Sequence, residues 1–174
     1  EQIEIINAYG PYNHSVWSAP GVEITSEEQL AGRGEALVRL IRDSIMKHFS
    51  IEEIRNASIV DIGCYDGWIL HRLSDLPFAR MVGVEPRSKN ILKGQKIREI
   101  LQIPCRVEFR QGDLQILKNE SFDVVLCTGV LHHLASTSDA LRQFRSICKR
   151  LLFIETICLS SRHITASLKT DIEM

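Results

Sequence analysis

The chain has 174 residues, 44% of them hydrophobic, and a formal net charge of −1. That length and composition predict one sizeable core and a single domain over residues 1–174, and the near-neutral balance argues against a broad electrostatic footprint for nucleic acid. No run of about 18 apolar residues marks a membrane span, and the start carries neither Met nor a charged-then-apolar secretion signal.

Residues 1–25 are aromatic and rich in turn formers, with Tyr9, Tyr12 and Trp17, and read as a cap segment without a regular element. A helix is expected from Thr25 or Ser26, where Glu28 or Gln29 completes a capping box. Leu30, Leu37, Val38, Ile41, Ile45 and Phe49 give it one apolar face at helical spacing. The first core strand is expected at about 58–62, followed by a short helix running to Leu76 and Pro77. The second strand falls at about 80–85. A helix over about 88–102 carries Ile91, Ile97, Ile100 and Leu101 inward. Strands three and four are placed at about 106–110 and 122–127. Ala140, Leu141, Phe144, Ile147 and Cys148 then mark a helical face, and Leu151-Leu152-Phe153-Ile154 reads as a fifth strand, apolar on both faces as a central parallel strand would be. Residues 26–155 form the expected core and 156–174 an incomplete C-terminal part. This alternation of strands and helices predicts an α/β fold with a doubly wound, mostly parallel sheet.

The densest signal is Ile59-Val60-Asp61-Ile62-Gly63-Cys64-Tyr65-Asp66-Gly67, followed by Val82-Gly83-Val84-Glu85. An apolar strand runs into a glycine turn, then a helix, then a second strand that ends in a carboxylate. Glycines at 63 and 67 allow a sharp turn and close approach of a ligand to main-chain N–H groups. Glu85, about 20 residues on, stands where an acid can accept ribose hydroxyls. The spacing lacks the middle glycine of a dinucleotide fingerprint, and Asp61 and Asp66 would repel a pyrophosphate. An acidic loop suits a cationic cofactor, and a nicotinamide enzyme is disfavoured.

Val60-Asp61-Ile62-Gly63-Cys64-x-x-Gly67 resembles the first motif of the class I S-adenosylmethionine-dependent methyltransferases. Three further segments match in order: Glu85 at the end of strand two, Arg110-Gln111-Gly112-Asp113-Leu114, and Phe122 through Leu134. The resemblance implies a Rossmann-like sheet of order 3-2-1-4-5, apparently without its C-terminal strands. It implies S-adenosylmethionine as cofactor and S-adenosylhomocysteine as product. It also implies cofactor contacts from Asp61, Gly63, Cys64, Tyr65, Gly67, Glu85, Pro86, Gly112, Asp113, Leu114 and Thr128, with Asp113 at the adenine. Tyr65 departs from the pattern, since many members have glycine there.

His132 and His133 are candidate catalytic residues, with His133 favoured as a general base. Adjacent histidines on a turn do not easily face one site, and a packed turn histidine is the alternative. No metal site is expected, because no cysteine or carboxylate stands at a zinc-like spacing from them. Residues 87–110 carry seven basic side chains, of which Lys89, Lys93 and Lys96 share a helix face read as solvated. The expected function is methyl transfer to a small molecule, with an oxygen or carbon acceptor. A tRNA- or RNA-modifying enzyme and a non-catalytic cofactor-binding partner subunit are the alternatives. The five cysteines (64, 105, 127, 148, 158) are scattered, without a C-x-x-C pair, and predict reduced, largely buried thiols in a cytoplasmic protein.

Overall fold

The computed structural model of the chain describes residues 17–19, 22–24, 28–100, 102–103 and 106–158, with side chains from residue 33 onward. Two short strands come first, β1 (Trp17–Ala19) and β2 (Val22–Ile24), paired antiparallel. This hairpin corrects the expectation of no regular element before residue 25; runs of three residues carry too little alternation to be read as strands. Tyr9, Tyr12 and the proposed cap at Thr25 or Ser26 lie outside the described residues.

Helix α1 (Glu28–His48) buries Val38, Ile41 and Ile45, with Phe49 just beyond its end. A second helix, α2 (Ile51–Asn56), was not expected. Its local signal is plain in retrospect: Ser50 Oγ accepts the Glu53 N–H while the Glu53 carboxylate accepts the Ser50 N–H, a complete capping box. Then follow β3 (Ser58–Ile62), α3 (Trp68–Arg72), β4 (Arg80–Glu85), α4 (Ser88–Ile100), β5 (Val107–Gln111), β6 (Phe122–Thr128), α5 (Thr137–Ile147) and β7 (Cys148–Glu155). Short 3-10 turns at Leu114–Leu117 and Leu131–His133 flank β6.

The main sheet is five-stranded and parallel throughout, ordered β5-β4-β3-β6-β7. Counting its strands along the chain gives 3-2-1-4-5, as expected. The inner strands are buried on both sides, and their alternation assigns each residue to a layer. Ile59, Met81, Val124 and Leu126 face α1, α2, α3 and α4 in one half of the core. Val60, Ile62, Val82, Val84, Val125 and Cys127 face Leu114, Leu117, Ala140, Phe144 and Ile147 in the other. The β-branched residues that stiffen β3 and β4 therefore also fill both layers.

Two sequence expectations fail in detail. Among the described residues the Leu151–Ile154 segment pairs on one side only, with β6, and those four residues are half-buried. Leu141 is 41% exposed, so the buried stripe of α5 is Ala140, Phe144 and Ile147, and Cys148 has already entered β7. Among the described cysteines, Cys64 and Cys127 are buried, Cys148 is half-buried and Cys158 is exposed, and all four are free thiols. No helix among the described residues is long and apolar enough to cross a membrane.

Candidate functional site

β3 and β6 lie side by side, and their connections leave to opposite ends of the sheet order. The crevice beyond their carboxyl ends is where an open α/β sheet offers a ligand site. The loop after β3 enters it through three left-handed residues, Gly63 (φ 73°), Tyr65 (φ 55°) and Gly67 (φ 78°). A Cβ at Gly63 would sit 2.3 Å from Cγ2 of Val130, so glycine here lets the turn after β6 pack onto the loop.

The loop's donors are already engaged. Gly63 and Cys64 both donate to Val84 O, at 2.8 and 3.0 Å, and Gly67 donates to Cys64 O at 2.8 Å. The Tyr65 N–H donates to Glu85 Oε2 at 3.2 Å. A ligand therefore does not find these N–H groups, contrary to the reading of the glycines as an opening to them. What the loop offers instead is acid.

Asp61 is 1% exposed, and its Oδ1 has no hydrogen-bond partner among the described residues. Burial, and secondarily the Glu85 charge, pushes its carboxyl up to about 7. A buried carboxylate oxygen without a donor is costly unless a cation or donor arrives to meet it. Asp66 is buried too, and its Oδ1 accepts the Trp68 N–H at 3.2 Å. Burial raises the Cys64 thiol well above its ordinary range, with Asp61, Glu85 and Asp66 adding to the effect, so it stays protonated.

Glu85 ends β4 and is buried. It is 5% exposed, and Oε1 accepts the Arg87 N–H at 3.1 Å and Asn90 Nδ2 at 2.9 Å. With Tyr65 on Oε2, one lone-pair site of that oxygen remains for a ligand hydroxyl.

The cleft has a volume of about 340 Å³. Asp61, Gly63, Cys64, Tyr65, Thr128, His132 and His133 line it together, seven of the residues singled out from sequence. The two histidine rings stand 4.0 Å apart and share this cleft, against the expectation that neighbours on a turn would diverge. A 3-10 turn rotates successive residues by about 120°, which keeps both on its open side. His132 Nδ1 is 3.2 Å from Thr156 Oγ1.

Other predicted residues sit behind the cleft. Gly67 backs onto Phe109, where a Cβ would meet Cζ at 2.5 Å. The Gly112 N–H donates to Glu85 O at 3.1 Å, Pro86 O accepts from Gln111 Nε2 at 3.5 Å, and Leu114 is buried in the core. The Asp113 Oδ1 accepts the Gln115 N–H at 2.8 Å and so caps the turn Leu114–Leu117.

Sequence reading missed Arg33 and Glu155, which both line the cleft and form an ion pair across it. They are 122 residues apart in sequence, and nothing local couples them. It also missed Gly94, where a Cβ would stand 2.0 Å from Asp66 O. A glycine inside a helical pattern is itself a signal of close packing. The solvated-face reading of α4 fails at Lys93, which is 2% exposed, although Lys89 and Lys96 are exposed as expected. Among the described residues no group of three His, Cys, Asp or Glu side chains is placed to hold a metal ion.

The methyltransferase domain family model matches residues 60–150, more than half of the chain. A ubiquinone biosynthesis O-methyltransferase of Azorhizobium caulinodans is 34% identical over 110 residues, covering 59% of this chain and 42% of that protein. A tRNA U34 carboxymethyltransferase of Trichodesmium erythraeum is 31% identical over 104 residues, covering 59% of this chain and 31% of that protein. The chain thus spans less than half the length of these curated relatives. The solved N-terminal domain of EvdMO1 with SAH bound shares the fold at a TM-score of 0.64 and 18% identity, over 87% of this chain and 64% of that one.

Proposed function

The chain belongs to the class I S-adenosylmethionine-dependent methyltransferases, and from that premise we propose that it transfers a methyl group to a small-molecule acceptor held against His132 and His133. The observation that carries the reading is Asp61: a buried carboxylate with an orphaned oxygen, beside a loop whose N–H groups are spent internally. Such a site suits a cation and repels a pyrophosphate.

When bound, S-adenosylmethionine supplies a methyl group on a positively charged sulfur that needs no further activation. Asp61 and Tyr65 would hold its amino-acid end, and the open site on Glu85 Oε2 would take a ribose hydroxyl. Asp113 would reach the adenine with Oδ2, since its cap on Gln115 uses Oδ1. The cleft walls exclude water and fix the acceptor, so alignment supplies most of the effect. A neutral imidazole at His133 or His132 would accept the acceptor's proton.

The near-neutral charge and the small cleft support a metabolite acceptor with an oxygen or carbon nucleophile. A tRNA acceptor is the second reading, supported by the tRNA-modifying relative. Isothermal titration with S-adenosylmethionine and S-adenosylhomocysteine comes first. Transfer of a labelled methyl group into separated metabolite and RNA pools then decides between acceptors. Binding without transfer to either pool would instead make the chain a cofactor-binding partner subunit.

A further inference from the structure

Tyr65 occupies a left-handed backbone conformation that glycine adopts freely and other residues resist. Its ring lies under Lys93, whose Nζ is 4.9 Å from the ring centroid and 3.4 Å from the hydroxyl oxygen. Lys93 projects from α4 and is almost wholly buried, at 2% exposure, though a lysine ordinarily keeps its ammonium in water. Gly94, the next residue, has no side chain and lets this stretch of α4 close onto the loop at Asp66. Tyr65 in turn lines the cleft and donates its N–H to Glu85 Oε2.

Resting on the cofactor assignment above, we propose that Lys93 is a positioning residue for S-adenosylmethionine that acts through Tyr65. Its ammonium holds the ring over α4 and so keeps residue 65 in the left-handed state that points its N–H at Glu85. The chain thereby forms, with a tyrosine and a cation–π contact, the turn that a glycine would form unaided. Lys93 does not line the cleft and touches no reacting atom.

The test is a suppression experiment on the full chain, with S-adenosylhomocysteine as the titrated ligand and thermal melting as the check on folding. Lys93→Met keeps the length and apolar stem of the side chain and should weaken binding about tenfold, the scale of a desolvated cation–π contact. Lys93→Arg restores a cation over the ring and should bind within about threefold of wild type. Tyr65→Gly supplies the background in which no clamp is needed, because glycine adopts the left-handed turn unaided. The decisive variant is Lys93→Met combined with Tyr65→Gly. If Lys93 acts through Tyr65, the double variant binds like Tyr65→Gly alone. Equal affinity of wild type and Lys93→Met overturns the proposal, and so does a tenfold loss that persists in the glycine background. Should Lys93→Met fail to fold, Tyr65→Leu removes the same contact from the loop side, and unchanged affinity there overturns it as well. Failure of the wild-type chain to bind the ligand would instead overturn the cofactor assignment itself.

Discussion

The Tyr65 N–H donates to Glu85 Oε2 at 3.2 Å, joining the loop after β3 to the end of β4 across 20 residues of chain. One carboxylate thus does two things. It pins the glycine loop through Oε2, and through Oε1 it holds the Arg87 N–H and Asn90 Nδ2 at the start of α4.

Glu85→Ala removes both roles. Binding of S-adenosylhomocysteine should weaken by about 1.5–3 kcal/mol, the range for hydrogen bonds to a charged group. Melting temperature should fall as well, because the Tyr65 and Arg87 N–H groups and Asn90 Nδ2 lose their acceptor. Glu85→Gln keeps acceptor oxygen on one side and should recover part of the stability. Calorimetric titration beside a thermal melt separates the two effects. An unchanged dissociation constant in folded Glu85→Ala takes the residue out of the site.

Gly63→Val should abolish binding. The left-handed backbone resists a β-branched residue, and the new side chain collides with Val130, which carries the turn into His132 and His133. The more modest Gly63→Ala brings the same first atom against Val130 and should weaken binding at least about tenfold, a cost of the size expected for overpacking. Normal affinity in both variants would dismiss the glycine loop as the ligand site.

The raised Asp61 carboxyl gives a pH dependence with a definite sign. Its folded value of about 7 lies above its ordinary 3.8. The ligand-free protein therefore has a stability contribution that is full below about pH 4 and lost as pH rises through about 7. A cationic ligand favours the carboxylate, so affinity should rise with pH through the same window and level off above it. Titrations of S-adenosylmethionine from pH 5.5 to 8 should show a change of about five-fold or more, within the reach of one coupled proton. Asp61→Asn should be weaker throughout and lack that slope; a slope equal to wild type would show that another group is responsible.

If His132 or His133 takes the acceptor's proton, the matching alanine variant should keep cofactor affinity and lose about 10²–10⁴-fold in methyl transfer. Thr156→Val tests His132 further, because it removes the hydroxyl beside Nδ1. Turnover can be followed as labelled methyl incorporation into the acceptor pool that wild type modifies. Losses below about tenfold in both alanine variants would leave alignment alone as the mechanism.

The main strands were legible because β3 and β4 are dense in Ile and Val and end in glycine or acid, a pattern written locally. The sheet order came from resemblance to a family, not from periodicity. The burial of Lys93 has no local signal, because Tyr65 and Asp66, which face its ammonium, belong to the loop after β3, Tyr65 lying 28 residues away. Leu92 beside it is 55% exposed, so at these two positions α4 reverses the usual rule of apolar inward and charged outward. Arg33 was invisible for the same reason at longer range, since Glu155 gives it meaning only once β7 has been laid beside β6. Ser50 and Glu53 are the opposite case: a local capping box marks α2, yet six residues are too few to show a helical periodicity.

Gly94 turns the ligand loop into part of a helix surface. With Asp66 O where the Gly94 side chain would be, and the Gly63, Cys64 and Gly67 amides bonded inward, the loop has little room for alternative shapes. Amide hydrogens at 63, 64 and 67 should therefore exchange slowly even without ligand, on the timescale of the core strands instead of that of a surface loop. A site frozen in advance charges an incoming molecule little ordering entropy. Its selectivity is accordingly that of a mould: a ligand that does not already fit the acid-lined crevice cannot reshape it.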